Sequence, residues 1–144
     1  MDILLAEDDR ITRASLRREL ERWGHRVTEA EDGARAWDLY QSEPTDMMLT
    51  DWEMPRMSGP ELARRVRART GGRYVYIVIL TGRSETSDII AGMEAGADDF
   101  LAKPFDKDEL KVRLAAGERI IRLERTLADL NANLQAKVDQ QSAQ

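Results

Sequence analysis

The chain has 144 residues, 42% of them hydrophobic and 34% charged, with a net charge of -5. That length suits one compact domain with a modest tail, and the acidic balance argues against nucleic acid as a direct partner. With no cysteine and a single histidine, His25, the chain has no disulfide frame, no thiolate chemistry and little scope for zinc or His-based catalysis.

From the N-terminus, the apolar run Ile3 to Ala6 predicts a strand that ends on Glu7-Asp8-Asp9, and Asp9 is placed to cap a helix over 10–23. His25 to Ala30 is a weaker, more polar run that suits a sheet edge, with His25 opening it in a structural role. A helix over 34–42 follows. Trp23 and Trp37 fall at helical positions, as partly buried packing residues. Thr45 to Thr50 is apolar and runs straight into Asp51, before the turn Trp52-Glu-Met-Pro-Arg-Met-Ser-Gly59. Ser58-Gly-Pro-Glu61 fits a capping box for a helix over 59–69. Tyr74 to Leu80 is continuously apolar, as a strand covered on both faces requires, yet it is far too short to cross a bilayer. Thr81-Gly82 follows, and Ser84 is placed to cap a helix over 84–95. Ala97 to Leu101 is the second edge candidate and leads to Lys103-Pro104. Asp106-Lys-Asp-Glu109 is a further capping box, opening a last helix. The acidic start also lacks the basic region of a signal peptide, so the expected location is the cytoplasm, with no membrane partner.

Five short strands alternating with helices imply a parallel sheet with helices on both faces. In such open α/β sheets the ligand site lies beyond the carboxyl ends of the strands. Those ends deliver Glu7-Asp8-Asp9, Asp51, Thr81-Gly82 and Lys103-Pro104. Converging carboxylates raise one another's pKa unless a cation sits among them, and an incomplete set of hard oxygen donors suits Mg²⁺ shared with a phosphate. Thr81 and Lys103 would then face the remaining phosphate oxygens, and an aspartate could act as the nucleophile.

Four segments resemble the receiver domain of bacterial two-component response regulators, the CheY-like family. They are Ile3-Leu-Leu-Ala-Glu-Asp-Asp9, Asp51-Trp-Glu-Met-Pro-Arg-Met-Ser-Gly59, Ile79-Leu-Thr-Gly82 and Gly96-Ala-Asp-Asp-Phe-Leu-Ala-Lys-Pro-Phe105. The resemblance implies a flavodoxin-like (βα)5 fold with strand order 2-1-3-4-5. It implies that Asp51 accepts a phosphoryl group from a histidine kinase or phosphotransfer protein, and that the chain is a signalling switch rather than a turnover enzyme. Asp8 and Asp51 would ligate Mg²⁺, with Glu7 acting largely through water and the Glu53 backbone carbonyl completing the set. Thr81 and Lys103 would hold the phosphoryl oxygens, helped by the backbone N–H groups of Trp52 and Gly82. The Lys103-Pro104 bond would be cis. Phe100 stands where the family often has a tyrosine that moves with Thr81, so a switch working by packing is expected. Glu53 and Arg83 fall two residues beyond Asp51 and Thr81, and a pair between them across the mouth of the site would hinder attack by water.

The tail reads differently. From Asp106 to about Val138 there is no proline and one glycine, Gly117, so one long helix is expected. Leu110, Leu114, Gly117 and Ile121 form a stripe suited to docking on the sheet. Ile120, Leu123, Leu127, Leu130 and Leu134 then form a second seam, spaced as in a coiled coil. Residues 1–117 are therefore expected to form the receiver domain. Residues 118–144 would be a helical extension, pairing as a homodimer and leading to an output domain absent from this chain. The alternative for the tail is an amphipathic helix folded back on the domain. The alternative for the function is a Mg²⁺-dependent hydrolase or nuclease built on Glu7, Asp51 and Glu53, which leaves Thr81 and Lys103-Pro104 without a purpose. A scaffold that takes no phosphoryl group is disfavoured by the intact acidic, threonine and lysine positions.

Overall fold

The computed structural model describes residues 1–69, 72–82 and 85–142. Five strands alternate with five helices: β1 (Asp2–Ala6), α1 (Arg10–Arg22), β2 (Arg26–Ala30), α2 (Gly33–Ser42), β3 (Met47–Asp51), α3 (Gly59–Ala68), β4 (Tyr76–Thr81), α4 (Thr86–Ala95), β5 (Asp99–Ala102) and α5 (Lys107–Ser142). All pairings are parallel, in the order β2-β1-β3-β4-β5, so the two more polar strands are the edges.

Alternation along each strand builds a core on each face, because successive side chains point to opposite sides of a sheet. Leu4, Ala6, Met48, Ile77 and Ile79 pack under α2, α3 and α4 through Ala36, Tyr40, Leu62, Val66 and Ala95. Ile3, Leu5, Leu49, Val78 and Leu80 face the other way, onto Leu16 and Leu20 of α1 and Leu110, Leu114 and Ile121 of α5. The sheet is thus covered on both sides, which is why β4 reads as an uninterrupted apolar run.

The caps follow local chemistry. Asp9 accepts from the Thr12 N–H and caps α1, and Ser58 accepts from the Glu61 N–H and caps α3. Asp106 accepts from the Asp108 N–H at the start of α5. Asp32 caps α2 through the Arg35 N–H, although no capping box marks it in the sequence. Ser84 lies outside the described residues, and Glu85 stands before α4 without a side-chain capping bond.

Several strand boundaries differ from expectation: β1 begins one residue earlier, at Asp2, β3 runs Met47–Asp51 rather than 45–50, and β4 continues to Thr81. β2 begins at Arg26, leaving His25 ahead of it, buried, with its Nδ1 3.2 Å from the Met1 amino group. β4 begins at Tyr76 rather than Tyr74, because Tyr74 is held by side chains instead of a ladder. Its hydroxyl donates to Asp98 Oδ1, and its ring stacks under the Arg67 guanidinium. That guanidinium also donates to the carbonyls of Gly96 and Val75 and pairs with Asp98, tying α3 to the strands' amino ends. β5 spans Asp99–Ala102, one residue later at its end and two at its start than the apolar run 97–101.

The last helix is unbroken from Lys107 to Ser142. Leu110, Leu114, Gly117 and Ile121 are buried against the sheet as the first stripe requires. Beyond Arg125, which pairs with Asp46 at the foot of β3, every described residue to Gln140 is exposed. The helix therefore runs away from the domain and does not fold back on it. No helix among the described residues is long and apolar enough to cross a membrane.

Candidate functional site

Strand register sets the site. Ala6 lies level with Thr50, Asp51 with Leu80 and Thr81 with Ala102, so residues 7, 51, 81 and 103 leave the sheet at neighbouring heights. Strand order reverses between β1 and β3, and that switch point is where Glu7, Asp8 and Asp51 meet. One carboxylate oxygen from each of the three lies within 4.8 Å of the others. Lys103 reaches in from the end of β5, its Nζ 3.1 Å from Asp51 Oδ1 and 3.4 Å from Glu7 Oε2. The Lys103-Pro104 bond that precedes α5 is cis.

The three carboxylates differ in setting. Glu7 is 2% exposed, Asp51 is half-buried and Asp8 is exposed. Burial, then the charge of Asp51, pushes the Glu7 pKa up, against the pull of the Asp9 N–H and Lys103. Burial also works against the Lys103 ammonium, but Asp51 and Glu7 outweigh it and hold its pKa above the ordinary value. Asp9 stands apart: its carboxylate is committed to the Thr12 backbone and hydroxyl, which lower its pKa, so it caps α1 and does not join the cluster.

A carboxyl made harder to ionise by burial and then by a neighbouring carboxylate marks a site short of positive charge. The donors are hard oxygens on two adjacent strand ends, and one flank is open through Asp8. That set fits Mg²⁺, which takes a few carboxylates and keeps water on its other positions.

The loop after β3 is held close to Asp51. The Trp52 N–H lies 3.0 Å from Asp51 Oδ1 and 3.0 Å from the Leu80 carbonyl oxygen. The Gly59 N–H donates to the Trp52 carbonyl, and a Cβ at Gly59 would lie 2.4 Å from the Asp51 carbonyl oxygen. Only glycine lets α3 begin this near the acidic loop. Thr81 is buried at the end of β4, where its carbonyl accepts from the Lys103 N–H at 2.7 Å. Gly82 follows it, exposed. Phe100 is half-buried and meets Trp52 edge to face, ring centroids 5.7 Å apart. A Cβ on Gly92 of α4 would come within 2.5 Å of the Phe100 ring and 3.1 Å of Trp52, so the two aromatics fill the space that glycine leaves. Glu53 is exposed beside the site, whereas Arg83, its expected partner, lies outside the described residues. Arg13 is an addition: its Nη1 donates to the Glu7 carbonyl at 2.8 Å and holds the acidic turn. Nothing in the arginine-rich α1 sequence singles it out.

The electrostatics predict a pH effect. Glu7 binds its proton more tightly folded than unfolded, so folding takes up protons between the ordinary glutamate pKa and the raised one. Stability of the metal-free protein should therefore fall as pH rises through that window. Glu7→Gln is expected to remove this dependence and to raise the stability of the metal-free protein at neutral pH, read as the urea midpoint across a pH series.

Comparison with known proteins agrees with this architecture. The family described as the response regulator receiver domain matches residues 3–115. Response regulator MprA of Mycobacterium avium (strain 104) is 43% identical over 116 residues, covering 81% of this chain and 50% of that protein. The chain thus spans about half the length of the curated relatives it matches. The receiver domain of the Francisella response regulator 1452 superposes with a TM-score of 0.76 at 30% identity, covering 82% of this chain and 96% of that one. The receiver domain of the sensor histidine kinase PA1611 from Pseudomonas aeruginosa PAO1 gives a TM-score of 0.73 at 33% identity, covering 83% and 96%. Its structure holds a magnesium ion coordinated in the active-site cleft. Because the family match runs through all five strands and the acidic pocket between them, the chain belongs to the response regulator receiver domains of two-component signalling systems.

Proposed function

We propose that this domain is a Mg²⁺-dependent phosphoacceptor that takes a phosphoryl group onto Asp51 from a histidine kinase or phosphotransfer protein. The observation that carries this is the meeting of Glu7, Asp8 and Asp51 within ligand reach of one cation, with Lys103 already 3.1 Å from Asp51. An oxygen of the Asp51 carboxylate forms the new P–O bond as the P–N bond of the donor phosphohistidine breaks, and the bonding pair leaves with the imidazole. Asp8, Asp51 and the Glu53 carbonyl would hold Mg²⁺, with Glu7 acting through water. Bound there, the ion would offset the negative charge that the carboxylates and phosphoryl oxygens bring together. Lys103 pairs with a phosphoryl oxygen, and Thr81 and the N–H groups of Trp52 and Gly82 donate to the others.

Thr81 and Phe100 relay the change. A threonine drawn toward the phosphoryl group leaves room beside β5, and Phe100, packed on Trp52 over Gly92, follows by packing alone. The α4 and α5 surface shifts with it and acts on an output domain outside these residues. A second copy of the chain joins through the extension of α5.

Incubation with a small phosphodonor and Mg²⁺ tests the reading by mass spectrometry. One acid-stable, base-labile phosphoryl group is expected, and chelating the metal should abolish its uptake. Absence of uptake under good donor conditions, or turnover of a phosphate ester or nucleic acid instead, would overturn it.

A further inference from the structure

The exposed face of the α5 extension has a pattern that goes beyond apolar spacing. Ile120, Leu123, Leu127, Leu130 and Leu134 are all exposed, and their 3-4-3-4 steps make Ile120, Leu127 and Leu134 the first core positions of successive heptads, with Leu123 and Leu130 the fourth. Ile121 and Arg125 hold the helix from another side. Ile121 is fully buried on the sheet, and the Arg125 guanidinium pairs with Asp46. With those two contacts made, the five seam residues are left exposed, although Glu124 and Ala128 beside them border a cleft with Arg73 and Tyr74.

Charges at the seam's flanks choose a geometry. In the same heptad frame Arg119 precedes one core position and Glu124 follows the next. These are the two flanking sites that meet between parallel, in-register helices. Both side chains are exposed and neither makes an ion pair within the chain among the described residues. In a parallel pair Arg119 of each helix would meet Glu124 of the other, twice by symmetry. In an antiparallel pair, where first core positions pack on fourth ones, the register Leu127 on Leu123 would set Arg119 against Asn133 and Glu124 against its own copy, so no opposite charges would meet.

We infer that the α5 extension binds a second copy of this chain as a parallel, in-register two-stranded coiled coil whose orientation is set by Arg119 and Glu124 and whose receiver domains lie on its outer sides. This deepens the proposed pairing through α5 and rests on it. Apolar burial along the seam drives association, while the charge pairs, being exposed, select the orientation. With so few heptads, the dimer should dissociate on dilution.

The chain has no cysteine, so single-thiol variants of the full chain report geometry directly. Under a mild disulfide oxidant, which takes two electrons and two protons from a thiol pair, Leu134→Cys is expected to crosslink to itself, and so is Ile120→Cys. A mixture of the two should give no crosslink between unlike chains. Arg119→Glu should weaken the dimer by about tenfold or more in sedimentation, and adding Glu124→Arg should restore it. Leu127→Lys should leave a folded monomer whose urea midpoint equals that of the wild-type chain at high dilution.

Crosslinks only between the unlike variants would overturn the parallel arrangement. A wild-type chain that stays monomeric at every concentration would assign the seam to another partner and overturn the inference altogether. None of these readouts needs phosphate. Failure of phosphoryl uptake therefore leaves the inference standing, and failure of the crosslinks leaves the phosphoacceptor reading untouched.

Discussion

Asp51→Asn is expected to take up no phosphoryl group from a small donor with Mg²⁺, under conditions where the wild-type chain takes one. The amide keeps the shape of the carboxylate and an oxygen for the Trp52 N–H, which lies 3.0 Å from Asp51 Oδ1. It lacks the negative oxygen that would attack phosphorus. The substitution loses an ion pair with Lys103 but also relieves the charge that, after burial, raises the Glu7 pKa. These effects oppose, so the urea midpoint should move little and the loss will report chemistry rather than unfolding. Lys103→Gln should behave differently. It removes the cation that would meet the phosphoryl oxygen and should slow uptake on the order of 10²–10³-fold. It leaves the acidic ligands in place, so Mg²⁺ should still stabilise the variant against heat. Because Glu7 and Asp51 lose their partner, the metal-free variant should be less stable by roughly 1–3 kcal/mol, below the range for a fully buried pair since Lys103 is 31% exposed.

The second large effect concerns α5, which has two separate jobs along its length. Leu114→Ala is expected to cost about 2–5 kcal/mol, because Leu114 is buried in the core formed with α1 and the strands. Its neighbour one turn on, Gly117, lies so near Tyr76 that a Cβ there would come within 2.5 Å of the ring, so the helix cannot slide to fill the cavity. Leu127→Ala, an equal change in side-chain volume at an exposed site, should alter the stability of the dilute monomer by less than about 0.5 kcal/mol. Urea unfolding at low protein concentration measures both. Similar costs for the two would mean that the extension packs on the domain after all.

Much of this was legible before any coordinates. The unbroken apolar runs Ile3–Ala6 and Tyr76–Leu80 reveal a sheet covered on both faces. Asp9, Ser58 and Asp106 mark helix starts because a side-chain oxygen two or three residues from an orphan N–H is a local, steric fact. What escaped is non-local. Tyr74 and Val75 look like strand residues, yet Tyr74 answers to Asp98 and Arg67. Arg67 meets Asp98 across 31 residues and Arg125 meets Asp46 across 79, with no pattern in either segment to announce the other. Asp32 was missed for a smaller reason: the glutamate beside it and the glycine after it read as loop.

By itself, the sequence determined the order of elements, the two faces of the sheet and the residue types delivered to its carboxyl edge, because each depends on neighbours a few positions away. Only the tertiary structure decided which of the acidic residues converge. Register between β1, β3 and β4 brings Glu7, Asp8 and Asp51 together with Lys103, while Asp9, next in the chain, is turned aside to cap a helix. The tertiary structure also decided the path of α5, since Ile121 and Arg125 fix its direction through contacts with residues far away in the chain. Charges and apolar stripes are local properties, but the space they share is set by strand pairing, and pairing joins segments that the chain keeps apart.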